Sequence, residues 1–401
     1  MKSLISKEER VVLLFSEEEY KKRLEKTKER MRNKGIDVMM ATHPANMNYL
    51  TGYDGWSFYV HQCVLVSLDQ EEPVWIGRNM DANAAKVTTY LSKENIRNYA
   101  DEYVHSPVGK HPVDYIVDVI KEKGWEDKTF GLEMDQFYFT HKTYEIMNKK
   151  LPEASFVDAN LLVAMVRQIK SEQEIKYMKK AGKIAEKVMQ TGIDALEVGR
   201  RECDVAADIS HAQISGTDDL GGDYPAIVPL MPAGDGIDAP HLTWSERKYG
   251  NNEPVILELS GCYNRYHAPM ARTVYLGDPP SRMKEITNFV VEGLEETLDF
   301  IEPGVTCEAV EEKWRKSIAK GSLVDASRLG YSFGLNYPPD WGEQTASMRP
   351  GDKTVLKENM TFHLIPIIWE EDIGFEMSAA IRITENGCEE LYDFPHKLYT
   401  K

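Results

Sequence analysis

The string Arg167-Gln-Ile-Lys-Ser-Glu-Gln-Glu-Ile divides the chain, because hydrophobic patterning before it differs from patterning after it. From that point Ile175, Met178, Ala181 and Ile184 recur at helical spacing and predict a long helix. Upstream, strand and helix signals alternate. Residues 16–35 read as a capped amphipathic helix ending at glycine. Residues 36–41, 62–67, 73–77 and 129–133 read as strands, with a helix-like stretch at 112–123. Such alternation builds an α/β domain of its own. Downstream, to Lys401, the sequence is glycine-punctuated helix and long, twisted strand. The expected boundary lies near Asn160, giving domains 1–160 and 161–401, and 401 residues suffice for two proper cores.

Charge narrows the partners. A formal net charge of −17 argues against nucleic acid or an anionic membrane and suits a cationic ligand, although it also serves solubility. No segment approaches the ~18 consecutive apolar residues that span a bilayer. The opening Met1-Lys-Ser-Leu-Ile-Ser-Lys-Glu-Glu-Arg becomes charged too early for a secretory leader, so a soluble cytoplasmic protein is expected. Cys63, Cys203, Cys262, Cys307 and Cys388 are far apart and form no CxxC, which predicts reduced thiols.

Polar residues in apolar surroundings mark candidate sites. Glu258 interrupts the apolar run 255–259, where a carboxylate is costly unless paired or functional. On the returning strand His267, Pro269 and Ala271 share a face by alternation. His241 sits in a proline-containing loop, Asp238-Ala-Pro-His-Leu-Thr-Trp, and imidazole is suited to moving protons near neutrality. Glu376, Ser378 and Ala380 alternate to one face of another strand. Asp340, Trp341 and Glu343 follow Tyr337-Pro-Pro, a turn that either presents side chains or simply faces solvent. Trp56, Phe58, Tyr59 and His61 form an aromatic cluster that reads as core or as a wall for a cationic ring. The bland alternatives are a buried salt bridge for Glu258 and an arginine partner for Glu376.

Segments 258–273, 329–335, 360–366 and 374–384 resemble the pita-bread aminopeptidase/prolidase/creatinase superfamily. The Arg167–Ile175 string is similar to the helix that opens its catalytic domain, and Asn48-Tyr-Leu-Thr-Gly-Tyr to a signature of its N-terminal domain. The resemblance implies an α/β (α+β) protein: a creatinase-like N-terminal α/β domain followed by a C-terminal pita-bread catalytic domain. In the superfamily's metallopeptidases two Asp, one His and two Glu hold a dinuclear metal centre. The matching positions here are Glu258, Pro269, Tyr331, Ile365 and Ser378. Proline and isoleucine offer no donor to a hard cation, so the expectation is no metal and no cofactor.

Residues 51–68 and 232–244 resemble ectoine hydrolases in particular, which open the cyclic amidine ring of ectoine to an N-acetylated 2,4-diaminobutyrate. The substrate implied is a small cationic or zwitterionic molecule. Its protonated ring is electrophilic at the carbon between the nitrogens and requires no Lewis acid. On this resemblance Glu258 acts at that carbon as nucleophile or base, and His241 carries protons. Tyr331 would hydrogen-bond the developing centre and Glu376 would hold the cation. Asp340, Glu343, His267 and Ser378 would line the site, and Trp56 would close it within a homodimer. Two rivals stand beside this reading. One is a creatinase-type amidinohydrolase on an acyclic guanidine, weakened because Ala271 replaces the creatinase glutamate. The other is an inactive pita-bread module used for binding.

Overall fold

The computed structural model describes residues 13–105, 109–325, 327–370 and 373–401, so the opening decapeptide lies outside them. Two compact units divide the chain, Met1–Arg167 and Gln168–Lys401.

In the first unit, α1 (Glu17–Asn33) starts where the Ser16 hydroxyl accepts from the Glu19 amide, with Glu17, Glu18 and Glu19 against the positive helix end. It stops before Gly35, whose φ of 65° a side chain would strain. Next come β1 (Val38–Ala41), α2 (Pro44–Thr51), β2 (Cys63–Ser67), β3 (Val74–Arg78), α3 (Ala82–Thr88) and β4 (Ile96–Tyr99). They are followed by α4 (Pro112–Glu122), β5 (Thr129–Leu132), α5 (His141–Lys150), β6 (Ser155–Asp158) and α6 (Ala164–Arg167). The six-stranded sheet runs β4-β3-β2-β1-β5-β6, antiparallel across β1–β2 and β2–β3 and parallel elsewhere. Val38, Met40, Leu65, Ile76, Phe130 and Leu132 of its strands pack with Val113, Ile116 and Ile120 of α4. The segment around Asn46 is helical because buried Glu133 accepts from the Thr42 and His43 amides and the Asn46 side chain. Asn46 in turn accepts from Arg167 at 2.7 Å.

In the second unit, α7 (Glu172–Ala195) begins at a Ser171/Glu174 capping box, later than the Arg167 start expected from the string. After α8 (Glu202–Ser215), the strands β7 (Glu253–Tyr263) and β8 (Tyr266–Leu276) form an antiparallel hairpin. The helix lies directly on it, because a Cβ at Gly261 would stand 2.1 Å from the Ala181 carbonyl oxygen. Two helices follow, α9 (Ser281–Phe300) and α10 (Cys307–Ile318), then β9 (Gly330–Phe333), β10 (Gly342–Met348) and β11 (Thr361–Leu364). The chain ends with β12 (Ile367–Glu370), β13 (Ile373–Glu376), β14 (Ala379–Ile383), β15 (Cys388–Glu390) and β16 (Tyr399–Thr400).

Five of these strands make a sheet in the order β10-β9-β11-β14-β15. Its apolar face, with Phe362, Leu364, Ile381 and Ile383, packs on Val290 and Leu294 of α9 and Trp314 of α10. Tyr331, His363 and Ala380 are register partners across β9, β11 and β14, so they share the opposite face. Among the described residues no helix is long and apolar enough to cross a membrane, and the five cysteines are free thiols.

Candidate active site

The site grows from the hairpin. Glu258 on β7 faces Ala271 on β8, and the β8 backbone holds the second carboxylate in place. The Thr273 hydroxyl accepts from the Glu376 amide and donates to its carbonyl. Two residues on, the Ser378 hydroxyl accepts from the Ala271 amide at 2.7 Å, and the Ser378 amide donates to the Ala271 carbonyl. Glu376 is thereby strung along β8 next to Glu258.

Neither carboxylate is compensated. Glu258 is 7% exposed and Glu376 1%. Both Glu376 oxygens lack a hydrogen-bond partner, and neither side chain forms an ion pair among the described residues. The salt-bridge alternative for Glu258 and the arginine alternative for Glu376 both fail. The buried Arg272 nearby spends its guanidinium on four carbonyls, those of Ala271, Ser378, Phe394 and Pro395. Burial, and then the charge of Asp340, raise the Glu258 pKa to about 7. Burial and the Glu258 charge push Glu376 well above the usual carboxylate range. Asp340 is also raised by burial, although the Gly342 amide donates to it at 2.8 Å.

Tyr331 completes the cluster. Its hydroxyl accepts from the Trp341 indole N–H at 2.8 Å and lies 3.0 Å from His363 Nδ1. The His363 ring is fully buried, its pKa lowered to about 3 by desolvation first, and its Nε2 has no partner. An orphan buried N–H is rarer than an orphan acceptor, which favours the tautomer with hydrogen on Nδ1. Trp341 Nε1 and His363 Nδ1 then both donate to the Tyr331 oxygen, leaving the hydroxyl hydrogen for a third partner. Glu258 is the charge acting most strongly on that phenol.

Several expected members stand elsewhere. His267 is buried, but its Nε2 accepts from the Ala226 amide at 2.9 Å and its Nδ1 meets the Gly334 carbonyl at 3.2 Å. With both nitrogens engaged by backbone, it braces the fold and is not available to a substrate. Glu343 likewise faces Lys170, not a ligand, at 2.6 Å with both side chains 1% exposed. Ser378 is committed to Ala271 as described. His241 is exposed, and no hydrogen bond or ion pair joins it to Glu258 among the described residues. Its segment is nonetheless laced to the Glu258 strand: Leu230 pairs with Glu258 in both directions, and the Met231 amide donates to the Leu242 carbonyl. In the first unit Trp56 is 58% exposed and packs against Phe58 at 4.8 Å, which excludes the core reading for this ring. His363 was missed in the sequence; its only signal was a polar residue alternating inside the apolar run 360–366.

The metal question turns on donors. Of the five positions that match metallopeptidase ligands, Glu258 supplies a carboxylate, while Pro269 and Ile365 supply nothing. The Tyr331 and Ser378 hydroxyls are already bonded within the protein. Among the described residues no group of three or more His, Cys, Asp or Glu is arranged to hold an ion. These residues do not fit a dinuclear centre.

Comparison with known proteins agrees with this architecture. Residues 23–169 match the Creatinase/Prolidase N-terminal domain, and residues 176–387 match Metallopeptidase family M24. The chain is 45% identical to an ectoine hydrolase of Halomonas elongata, over 98% of this chain and 99% of that one. It is 44% identical to an uncharacterized hydrolase/peptidase of Sinorhizobium fredii, over 97% and 99% respectively. A prolidase from Thermococcus sibiricus superposes with a TM-score of 0.80 at 21% identity, covering 95% of this chain and 99% of that chain. With both domains matched in order, the chain belongs to the creatinase/prolidase-like, pita-bread hydrolases of family M24.

Proposed function

We propose that this chain opens the cyclic amidine ring of ectoine by hydrolysis, giving N-acetyl-2,4-diaminobutyrate, without a catalytic metal. The observation that carries the reading is the pair Glu258 and Glu376: two buried carboxylates, side by side, with no counter-charge. Several kcal/mol disfavour each such ion. A planar amidinium with two N–H groups supplies both the charge and the donors that this pair lacks. The 45% identity to a protein named ectoine hydrolase supports ectoine over other amidines and guanidines.

In the proposed reaction Glu376 holds the cation while Glu258 acts at the amidine carbon, as nucleophile or as base toward water. Water supplies the oxygen of the new amide, and one ring C–N bond breaks with proton transfer to the departing nitrogen. Tyr331, its oxygen pinned by Trp341 and His363, donates to the tetrahedral centre. His241, on the solvent side of the laced segment, carries the proton between the site and water. We further take the working form to be a cytoplasmic homodimer in which Trp56 of one subunit closes the site of the other.

The test is direct. Purified protein incubated with ectoine should yield a ring-opened, acetylated diamine visible by NMR. An unchanged ectoine spectrum beside turnover of creatine would favour the guanidine rival. Stoichiometric binding of ectoine without turnover would favour the binding module.

A further inference from the structure

Arg328 stands just before β9, and its guanidinium lies over the Tyr331 ring, 4.4 Å from the centroid. One nitrogen donates to the Ser347 hydroxyl at 3.0 Å. Ser347 is the register partner of Tyr331 across β9 and β10, so Ser347, Tyr331 and His363 share the site face of the sheet, and Arg328 contacts both Ser347 and Tyr331. The side chain is exposed, and its charge acts on Asp340, Tyr331 and His363. It nevertheless forms no ion pair among the described residues, in a chain whose acidic residues outnumber the basic ones by 65 to 48. Among the solvent-exposed arginines elsewhere in this unit, Arg201 and Arg247 pair with carboxylates, while Arg349 does not among the described residues.

A substrate of the class proposed above carries two charges. Its amidinium belongs at Glu258 and Glu376, and its carboxylate, on a ring carbon, needs a cation about one ring away. The Arg328 guanidinium lies over the face of the Tyr331 ring, and Glu258 is the charge acting most strongly on the hydroxyl of that same ring. Ser347 and Tyr331 hold one edge and one face of the guanidinium, leaving its other N–H donors for a bidentate contact. We infer that Arg328 is the specificity residue that binds the substrate carboxylate, which rests on the cyclic-amidine reading of the site.

The same placement explains how an acidic cluster admits an anion-bearing ligand. A lone guanidine with no carboxylate gains nothing from Arg328, whereas a zwitterion meets opposite charges at both ends.

The experiment measures KM and kcat for ectoine, and the inhibition constant of 2-methyl-1,4,5,6-tetrahydropyrimidine, the same ring without its carboxylate. Wild type, Arg328→Gln and Arg328→Lys are compared as full chains with matched thermal melts. Losing a charge-assisted contact should raise KM for ectoine roughly 10- to 100-fold in Arg328→Gln, with kcat within about threefold. Arg328→Lys should recover part of that loss, and the carboxylate-free ring should inhibit all three proteins equally. An unchanged ectoine KM in Arg328→Gln overturns the assignment. So does an equal loss toward both rings, which would mark a structural role. If the wild-type chain neither converts ectoine nor is inhibited by the bare ring, the cyclic-amidine reading falls and takes this assignment with it.

Discussion

The Trp341 indole nitrogen lies 2.8 Å from the Tyr331 hydroxyl, and because an indole can only donate, this contact fixes the phenol oxygen as an acceptor. With His363 on the other side, the Tyr331 hydrogen is directed away from both rings. Tyr331→Phe should therefore lower kcat about 100-fold, the usual effect of removing one preorganised donor, and move KM little. His363→Leu should lower kcat less, since Trp341 still pins the oxygen. Steady-state kinetics on both variants would show it; equal KM-only effects would remove the donor role.

Glu258 has to be ionised to attack or to activate water, and its pKa stands at about 7. The acidic limb of kcat/KM should accordingly bend near neutrality, well above an ordinary carboxylate. A bound amidinium favours the ionised form, so the limb of kcat alone should lie at lower pH. Glu258→Gln should abolish turnover at every pH while leaving a folded protein.

The same group links stability to pH. A carboxyl whose folded pKa is raised above its unfolded value of about 4.5 weakens the fold progressively as pH climbs from there to about 7. Glu258→Gln should thus match wild type in stability near pH 4 and exceed it by about 3 kcal/mol above pH 8. Denaturant melts at the two pH values check the sign; a mutant that is weaker at high pH would contradict it.

The Lys170–Glu343 pair, buried on both sides, should behave oppositely. Lys170→Met strands a carboxylate and should cost about 3–5 kcal/mol, whereas Lys170→Met with Glu343→Leu should recover most of that loss. The double-mutant cycle in denaturant reads the difference.

Chelation tests the metal reading. Protein treated with EDTA, verified by elemental analysis, should retain full activity on ectoine, and His241→Ala should lose most of it. Chelator-sensitive turnover with stoichiometric zinc, iron or manganese would mean that other residues ligate an ion.

Local signals made much of the fold legible. Ser16 before an acidic first turn announced α1, and the apolar run around Glu258 announced a buried strand, β7. Helical spacing through Ile184 identified α7, but not its start: Arg167 ends a separate short helix, and the Ser171 cap begins the next. What was not legible depended on partners distant in sequence. His267 looked like a site residue because the Ala226 amide and the Gly334 carbonyl that engage it lie in other segments. Glu343 finds Lys170 across 173 positions, and no periodicity reports such a pairing. His363 acquires its role only through the register that sets it opposite Tyr331.

The unmatched oxygens of Glu376 have a consequence for the protein's lifetime. Burial and the Glu258 charge favour the protonated form of Glu376, and a cation bound there would favour the ionised form, so occupancy and folding are thermodynamically linked. At a ligand concentration of 100 times Kd, occupancy alone contributes about 2.7 kcal/mol. A stability change of that size can alter the abundance of a protein in a cell several-fold.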